Sequence, residues 1–287
     1  MWLGDDAAVL AGDVGLLLLA TDLVAEGVHF DRRWSSLADL GWKVLTANVS
    51  DVAAMGGRAL RAVVAVAGAF GAALEALYDG LAEAAAAYDC PVVGGDLSDP
   101  PAGGGLVVAV TVLGSTGGRP AVRRSGGRAG DRLWVTGPLG AAAAGLRLVQ
   151  AGRGVGGEQA ALVAAHRRPV ARATEGRVAA QAGATAMIDL SDGLGIDLDR
   201  LCRASGVGAE LVGVPVAAGA TEEEAVGGGE DFELLVAAPA ATDLADAFVQ
   251  LGLRPPVELG WLVADPATRR LGGRSLPPAG YRHGTPR

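Results

Sequence analysis

The sequence is poor in lysine, aromatic residues and cysteine. Lys43 is the single lysine among 24 basic residues, and aromatic residues account for 4% of the 287 positions. The two cysteines, Cys90 and Cys202, lie far apart and in no CxxC pattern, which argues against a disulfide framework and against a zinc site. We therefore expect two buried thiols in a reducing compartment, the cytoplasm.

The chain also lacks a basic bias and a long apolar run. Its net charge of −8 argues against a generic nucleic-acid-binding protein, because such proteins carry a basic face. The N-terminal segment is acidic and has no basic region, so it does not resemble a signal peptide. The most apolar stretch, residues 62–74, is shorter than the about 20 residues that span a membrane. These observations predict neither a nucleic-acid partner nor a membrane partner.

Several common catalytic motifs are missing as well. The sequence has no GxxxxGK[ST] loop, no GxGxxG followed by a ribose-binding acid, and no GxSxG. His29, His166 and His283 are widely separated and form no HExxH motif. Catalysis by positioned metal ions remains the best interpretation. A reaction such as phosphoryl transfer requires mainly alignment and charge neutralisation, so it can proceed without a covalent nucleophile.

Apolar runs and helical spacing alternate along the chain, which predicts an α/β or α+β fold. We predict strands at residues 14–20, 62–67, 91–93, 106–113, 132–135, 185–188, 232–237 and 257–262. We predict helices at residues 37–55, 72–88, 141–151, 158–166 and 197–204. Turn residues at 114–120 indicate a boundary between domains 1–117 and 118–287. Residues 215–225 are predicted as a loop, with the acidic run 221–224 as a solvated loop or a helix start.

Acidic residues follow apolar runs or lie in Gly-rich turns. They are Asp5, Asp6, Asp22, Asp51, Asp96, Asp189, Asp192, Glu230 and Asp231. Any one of them is also typical of a turn or a helix N-cap, so the prediction depends on the group. Carboxylates at strand ends can converge on one edge of a sheet, and such hard oxygen ligands suit Mg²⁺. The group therefore predicts a magnesium site that handles phosphate.

Seven motifs occur in a fixed order from Gly4 to about Leu235: GDDAAVL, TDLVAEGVHF, NVSDVAAMGG, VGGDLSD, RRSGGRAGDRLWVTGPLG, IDLSDGLGIDL and GGGEDFELL. Together they resemble the thiamine-monophosphate kinase family, in the superfamily that includes aminoimidazole ribonucleotide synthetase. The resemblance implies direct transfer of the γ-phosphoryl group of ATP to thiamine monophosphate, with Mg²⁺. It implies an N-terminal mixed-sheet domain that pairs with a second subunit in a homodimer, followed by a C-terminal α/β domain.

The resemblance also assigns roles to individual residues. The implied metal ligands are Asp6, Thr21, Asp22, Asp51, Asp96, Asp189 and Asp192. The implied nucleotide contacts are Gly95, Asp96, Arg124 and Ser191. The implied catalytic residues are Asp51, Asp96, Asp192 and Arg124, and the implied acceptor contacts are His29 and Glu230. His166, in HRRPVAR, corresponds to a segment that we interpret as structural.

The sequence departs from the family where an aromatic side chain usually contacts the thiamine ring. Pro278 occupies that place, and Tyr281 is the nearest ring in sequence, so we predict that Tyr281 contacts the substrate. Trp261 is the competing candidate, but its apolar neighbours predict a core position in a strand.

Two alternatives stay open at this point. One is another ATP-using enzyme of the same superfamily that acts on a different acceptor. The selenophosphate synthetases of that superfamily need a reactive cysteine near the N-terminus, whereas no cysteine precedes Cys90 here. The second is an inactive protein that only binds a nucleotide or a thiamine phosphate.

Overall fold

Strands from the first 115 residues build one sheet in the computed structural model, which describes residues 5–12, 15–68, 71–100, 104–153 and 156–282. The strands are β1 (Ala8–Gly12), β2 (Gly15–Ala25), β3 (Arg58–Ala67), β4 (Val92–Ser98) and β5 (Val107–Ser115). Their spatial order is β1-β2-β5-β3-β4, and every neighbouring pair is antiparallel except β3 and β4. The predicted mixed sheet is therefore confirmed, although Val14, where we began a strand, lies outside the described residues.

A second sheet follows, with seven strands. They are β6 (Arg132–Val135), β7 (Ala186–Asp189), β8 (Gly208–Leu211), β9 (Leu234–Ala238), β10 (Val257–Val263), β11 (Arg269–Leu271) and β12 (Arg274–Ser275). The spatial order is β12-β11-β8-β10-β6-β9-β7. Two sheets with flanking helices confirm the predicted α/β (α+β) class.

Eight α-helices lie between these strands in the described part of the chain. They are α1 (Leu37–Ala54), α2 (Ala72–Tyr88), α3 (Ala141–Gln150), α4 (Glu158–Arg167), α5 (Ala173–Ala182), α6 (Leu194–Ser205), α7 (Glu222–Gly227) and α8 (Leu244–Val249). The five predicted helices are confirmed, whereas α5 and α8 were not predicted and the start of α7 was one of two alternatives left open. Among the described residues, no helix combines the length and apolar character needed to cross a bilayer.

The prediction of a loop over residues 215–225 is wrong at its end, because α7 begins at Glu222. Thr221 is the N-cap: its hydroxyl accepts a hydrogen bond from the backbone N–H of Glu224, whose carboxylate accepts one from the backbone N–H of Thr221. The acidic run is thus a helix start. The predicted strand at 232–237 begins two residues late, at Leu234, because Phe232 has a left-handed φ of 49°.

Helix α1 lies between the two sheets. It starts with a capping box at Ser36, and with α2 it covers one face of the first sheet, where Leu18, Val64 and Val110 are fully buried. At its other end, Ala54 belongs to a core cluster with residues of α5 and β9. Helix α1 therefore contributes to the cores of both halves and joins them.

The opposite face of the first sheet is open and apolar. Leu19, Leu23 and Val63 point to this side and are 39%, 57% and 44% exposed. An exposed apolar surface of this kind typically marks an interaction site.

Candidate active site

Three carboxylates converge where the two halves of the chain meet. Asp6 precedes β1, Asp51 lies in α1 and Asp189 ends β7. One oxygen of each lies within 4.8 Å of the others. The Ser50 hydroxyl donates a 2.7 Å hydrogen bond to Oδ2 of Asp189, which ties α1 to β7 directly. The structure thus brings together three of the predicted metal ligands.

Burial makes this cluster electrostatically costly. Desolvation raises the pKa of Asp51 well above its ordinary value, and the negative charges of Asp22 and Asp189 raise it further. Desolvation likewise raises the pKa of Asp189, with a second contribution from the charge of Asp6. The pKa of Asp22 is also raised by desolvation, although a hydrogen bond with Asp51 opposes the change. The cluster is therefore poised to accept positive charge.

Arg124 already supplies one positive charge. Its Nε and Nη2 atoms donate to the two oxygens of Asp6 at 2.9 and 2.8 Å, and its backbone N–H donates to Asp5 at 3.0 Å. Burial alone would lower the pKa of Arg124, but the hydrogen bonds with Asp6 and the surrounding carboxylates raise it above its ordinary value. The guanidinium therefore stays charged beside the cluster, where it can also bond phosphate oxygens.

The donor set fits magnesium. Carboxylate oxygens are the ligands that Mg²⁺ prefers, and three converging carboxylates beside Arg124 leave an excess of negative charge. Asp6, Asp51 and Asp189 could hold such an ion, with Asp22 hydrogen-bonded at their edge.

Asp192 lies nearby in the turn after β7, but it is held by side chains that the sequence analysis did not single out. Its Oδ2 accepts a 2.5 Å hydrogen bond from Arg200. The carboxylate of Asp197 accepts hydrogen bonds at 3.0 Å from the backbone N–H groups of Asp192 and Gly193. Burial, followed by the charge of Asp192, raises the pKa of Asp197 to about 7. Asp197 and Arg200 therefore shape the turn that presents Ser191 and Asp192.

Thr21, Gly95 and Asp96 are not brought to this cluster. Thr21 points to the open face of the first sheet, where its hydroxyl lies 2.9 Å from that of Thr111. Asp96 lies on the same open face, in the edge strand β4. β2 and β4 are separated by three strand spacings, about 14 Å. Within one chain, Asp96 and Asp22 cannot share an ion across that distance.

A cleft of about 740 Å³ opens from the carboxylates. Its lining includes the predicted site residues Asp22, His29, Asp51, Asp189, Ser191, Asp192, Glu230 and Tyr281. The rings of His29 and Tyr281 meet edge to face with centroids 6.4 Å apart, and the backbone N–H of Tyr281 donates to the carbonyl of Asp192 at 2.9 Å. Trp261 lies in β10, as the sequence predicted, and is not among the lining residues, but it is half-buried beside Arg132 instead of lying in the core.

Glu230 reaches the cleft from a strained backbone. Its φ of 67° is left-handed, and its N–H donates to the carbonyl of Ser191 at 2.8 Å. Its Oε2 accepts a 2.7 Å hydrogen bond from Nζ of Lys43 and lies 3.7 Å from Nδ1 of His166. His166, interpreted from sequence as structural, thus lines the cleft. Lys43 was not predicted as a site residue, although it lies eight residues before Asp51 on the same helix and is the only lysine.

His166 is held uncharged. Its ring is buried, and Nδ1 has no hydrogen-bond partner in the described structure. Burial, followed by the positive charge of Lys43, lowers the pKa of His166 to about 4, against a smaller opposing effect of Glu230. The wall of the cleft therefore combines a neutral imidazole with a lysine–glutamate ion pair.

Comparison with known proteins relates this site to one family. Residues 4–116 match the family described as AIR synthase related protein, N-terminal domain, and residues 128–271 match its C-terminal domain. A thiamine-monophosphate kinase of Mycobacterium tuberculosis is 40% identical over 222 residues, which cover 75% of this chain and 64% of that protein. This chain thus spans about two thirds of the length of that relative.

In two further comparisons, the match covers a larger share of the related protein. A thiamine-monophosphate kinase of Synechococcus elongatus is 34% identical over 271 residues, covering 86% of this chain and 80% of the relative. A solved structure described as AaThiL complexed with AMPPCP and TMP superimposes with a TM-score of 0.87 at 31% identity, covering 98% of this chain and 92% of that one.

We expect Asp51→Asn to raise the melting temperature of the metal-free protein by at least about 2 °C, because it removes one charge from a repulsive cluster. Added Mg²⁺ should stabilise the variant less than the wild type. Thermal unfolding in EDTA and in MgCl₂ measures both effects. Asp79→Asn is the control, since that exposed carboxylate on α2 lies outside the cluster and its loss should change little. A metal-free Asp51→Asn protein less stable than wild type would contradict the expectation.

His166 predicts a pH dependence of stability. Its folded pKa of about 4 lies below the ordinary value of 6.5, so the unfolded chain binds more protons between these values. Wild-type stability should therefore fall relative to His166→Gln as pH falls from 6.5 towards 4, by up to about 3 kcal/mol. Urea unfolding of both proteins at several pH values measures this difference, in which the carboxylates common to both cancel. A difference that is constant with pH would contradict it.

Proposed function

The chain belongs to the AIR synthase related family and to its thiamine-monophosphate kinase branch, and we propose that it transfers the γ-phosphoryl group of ATP to thiamine monophosphate. The products are thiamine diphosphate and ADP. The convergence of Asp6, Asp51 and Asp189 beside Arg124, at one end of a cleft that can hold a second molecule, carries this proposal. The relatives named for this activity, and a similar structure described in complex with AMPPCP and TMP, support it.

The proposed transfer is direct and in line. An oxygen of the acceptor's phosphate forms a bond to the γ-phosphorus of ATP, while the bond from that phosphorus to the β,γ-bridging oxygen breaks. Such a reaction needs alignment and charge neutralisation but no covalent nucleophile. The cleft matches this requirement, because one end of it is lined by the carboxylates of Asp51 and Asp189 and by the turn of Ser191, while Arg124 bonds Asp6 in the same carboxylate cluster.

We assign the magnesium site to Asp6, Asp51 and Asp189, with Asp22 and Asp192 at its edge. Bound Mg²⁺ would neutralise and orient the phosphate oxygens. Arg124 then has two uses: it balances Asp6 in the metal-free protein, and its planar fork can bond the triphosphate. On the acceptor side, we assign His29, Glu230 and Tyr281, which line the same cleft.

We propose that a second subunit covers the open face of the first sheet and completes the site. The exposed side chains of Leu19, Leu23 and Val63 form an apolar surface that a homodimer would bury. Thr21 and Asp96 lie on this same surface, away from the cluster of their own chain. We propose that the partner's Asp96 and Gly95 reach the phosphate end of the cleft from across this surface.

Two broader proposals accompany this one. We divide the chain into an N-terminal domain of residues 1–117 and a C-terminal domain of residues 118–287, between the last strand of one sheet and the first of the other. We also place the protein in the cytoplasm, since Cys90 and Cys202 are buried free thiols.

The kinase proposal is tested with purified protein, ATP, Mg²⁺ and thiamine monophosphate, following ADP and thiamine diphosphate together. We expect both products in equal amounts, dependence on Mg²⁺, and little reaction with unphosphorylated thiamine. Asp51→Asn should lower turnover by at least about 100-fold, because a metal-binding charge is lost. ADP formation at the same rate with and without a thiamine compound would show that the assignment is wrong.

Tyr281→Ala tests the proposed ring contact. An aromatic contact contributes about 0.5–1.5 kcal/mol beyond area burial, so we expect a several-fold rise in KM for thiamine monophosphate. KM for ATP should stay unchanged, because the nucleotide is assigned to other residues. Tyr281→Phe keeps the ring and serves as the matched control, with KM values near wild type. Equal KM values for thiamine monophosphate in Tyr281→Ala and Tyr281→Phe would remove Tyr281 from the acceptor site.

The composite site predicts complementation between subunits. Asp51→Asn and Asp96→Asn should each be inactive alone, while a co-expressed mixture should recover about a quarter of wild-type activity, because half of the dimers are mixed and each has one intact site. Light scattering should give the mass of a dimer. A monomer mass at micromolar concentration, or verified mixed dimers without activity, would contradict the arrangement.

A further inference from the structure

Lys43 has an environment that is unusual for a lysine. Its side chain is 8% exposed, although lysine is rarely buried unless it is paired. In the described structure its ammonium group pairs with one carboxylate, Glu230, at 2.7 Å. The pair joins α1 of the first half of the chain to the loop before β9 in the second half, and both residues line the cleft.

The position of Lys43 along α1 places it away from the phosphate end. Lys43, Ala47 and Asp51 line the cleft from one side of the helix, and eight residues of helix correspond to about 12 Å. Side chains on a helix lean towards its N-terminus, so the ammonium group of Lys43 points further from Asp51. A molecule with its phosphate at the carboxylate cluster would bring its far end, the ring system, to Lys43 and Glu230.

Glu230 has two possible partners at this wall. Lys43 donates to its Oε2, while Nδ1 of His166 lies only 3.7 Å from the same oxygen and has no partner of its own. A buried imidazole nitrogen without a hydrogen bond is energetically costly, so without Lys43 the Glu230 carboxylate would turn to the imidazole. The ion pair with Lys43 therefore holds Oε2 of Glu230 at 2.7 Å from the ammonium group and beyond hydrogen-bond distance of the imidazole.

We propose that Lys43 is a positioning residue for the acceptor: it keeps the Glu230 carboxylate off His166 and directed into the cleft, where it accepts a hydrogen bond from the amino group of the acceptor's aminopyrimidine ring. This inference rests on the proposed function and deepens it. It assigns selection for an amino-substituted nitrogen heterocycle to a lysine that contacts neither ATP nor the transferred phosphoryl group.

Steady-state kinetics test this role. Because a hydrogen bond to a charged group contributes about 1.5–3 kcal/mol, Lys43→Met should raise KM for thiamine monophosphate at least about tenfold. KM for ATP should change less than about twofold, and Lys43→Arg should restore part of the loss. In the double variant Lys43→Met/Glu230→Gln, KM for thiamine monophosphate should rise no further than in the more impaired of the two single variants, because both substitutions act on one contact. Arg203→Met removes an exposed cation of α6 and is the control, with wild-type constants expected.

Magnetic resonance gives a readout that does not depend on turnover. Since Lys43 is the only lysine, lysine-specific labelling yields one side-chain signal. Thiamine monophosphate should shift that signal, whereas ADP with Mg²⁺ should not. His166 faces Lys43, Glu230, Arg167 and Asp39, so the pKa of its imidazole should rise in Lys43→Met, where the positive charge with the largest effect on it is gone.

The outcomes separate the inference from the kinase proposal. A fall in kcat with unchanged KM for thiamine monophosphate in Lys43→Met would place Lys43 in the chemical step and overturn the inference. A lysine signal unmoved by thiamine monophosphate would also overturn it, and this result needs only the wild-type protein if the variant fails to fold. Turnover of the wild-type protein in the same assay tests the kinase proposal by itself. If the wild type is active and Lys43→Met has wild-type KM values, the inference about Lys43 is wrong and the kinase proposal stands.

Discussion

Mutual repulsion among buried carboxylates is the constraint on which this structure depends. Asp6, Asp51 and Asp189 come from three distant segments and place oxygens within 4.8 Å of one another. Burial raises the pKa of Asp51 and of Asp189 and so disfavours their charged forms. Ser50 and Arg124 offset only part of this cost. The arrangement persists because apolar packing on both sides of α1 fixes the three segments independently of the site. Repulsion in the cluster therefore lowers the free energy of unfolding, and bound positive charge would reduce that repulsion. Ligand binding is thus coupled to the stability of the whole chain.

Helix α1 sets the length scale of the cleft. Asp51 lies at its carboxylate end, and Lys43 lies about 12 Å away on the same side of the helix. Each of these side chains meets a group from the second half of the chain: Asp51 lies beside Asp189, and Lys43 pairs with Glu230. A rigid helix thus fixes the distance between the carboxylate cluster and the wall that Lys43 and Glu230 form. A loop could not hold both contacts at a constant separation.

The sequence indicated the acids more reliably than their neighbours. Asp6, Asp51 and Asp189 were recognisable because each follows an apolar run or lies near glycine, and the fold does bring them together. Lys43 and Asp197 carry no such local signal, since each is one polar residue inside a helix. The partner of Lys43, Glu230, is distant in sequence, and Asp197 bonds backbone N–H groups of a turn. Short strands such as β11 and β12 escaped detection because two or three residues show no periodicity. The strain at Glu230 and Phe232 is likewise a tertiary property.

The alternation of a β-strand explains why two adjacent predicted ligands separate. Thr21 and Asp22 are neighbours in β2, so their side chains point to opposite faces of the sheet. Asp22 faces the cleft of its own chain, whereas Thr21 shares the open face with Asp96. If both residues serve a metal, as the family motif implies, they cannot serve the same one from the same chain. One strand would then supply Asp22 to its own cleft and Thr21 to that of a partner. A single apolar face, covered by a second copy, would both stabilise the sheet and complete two sites.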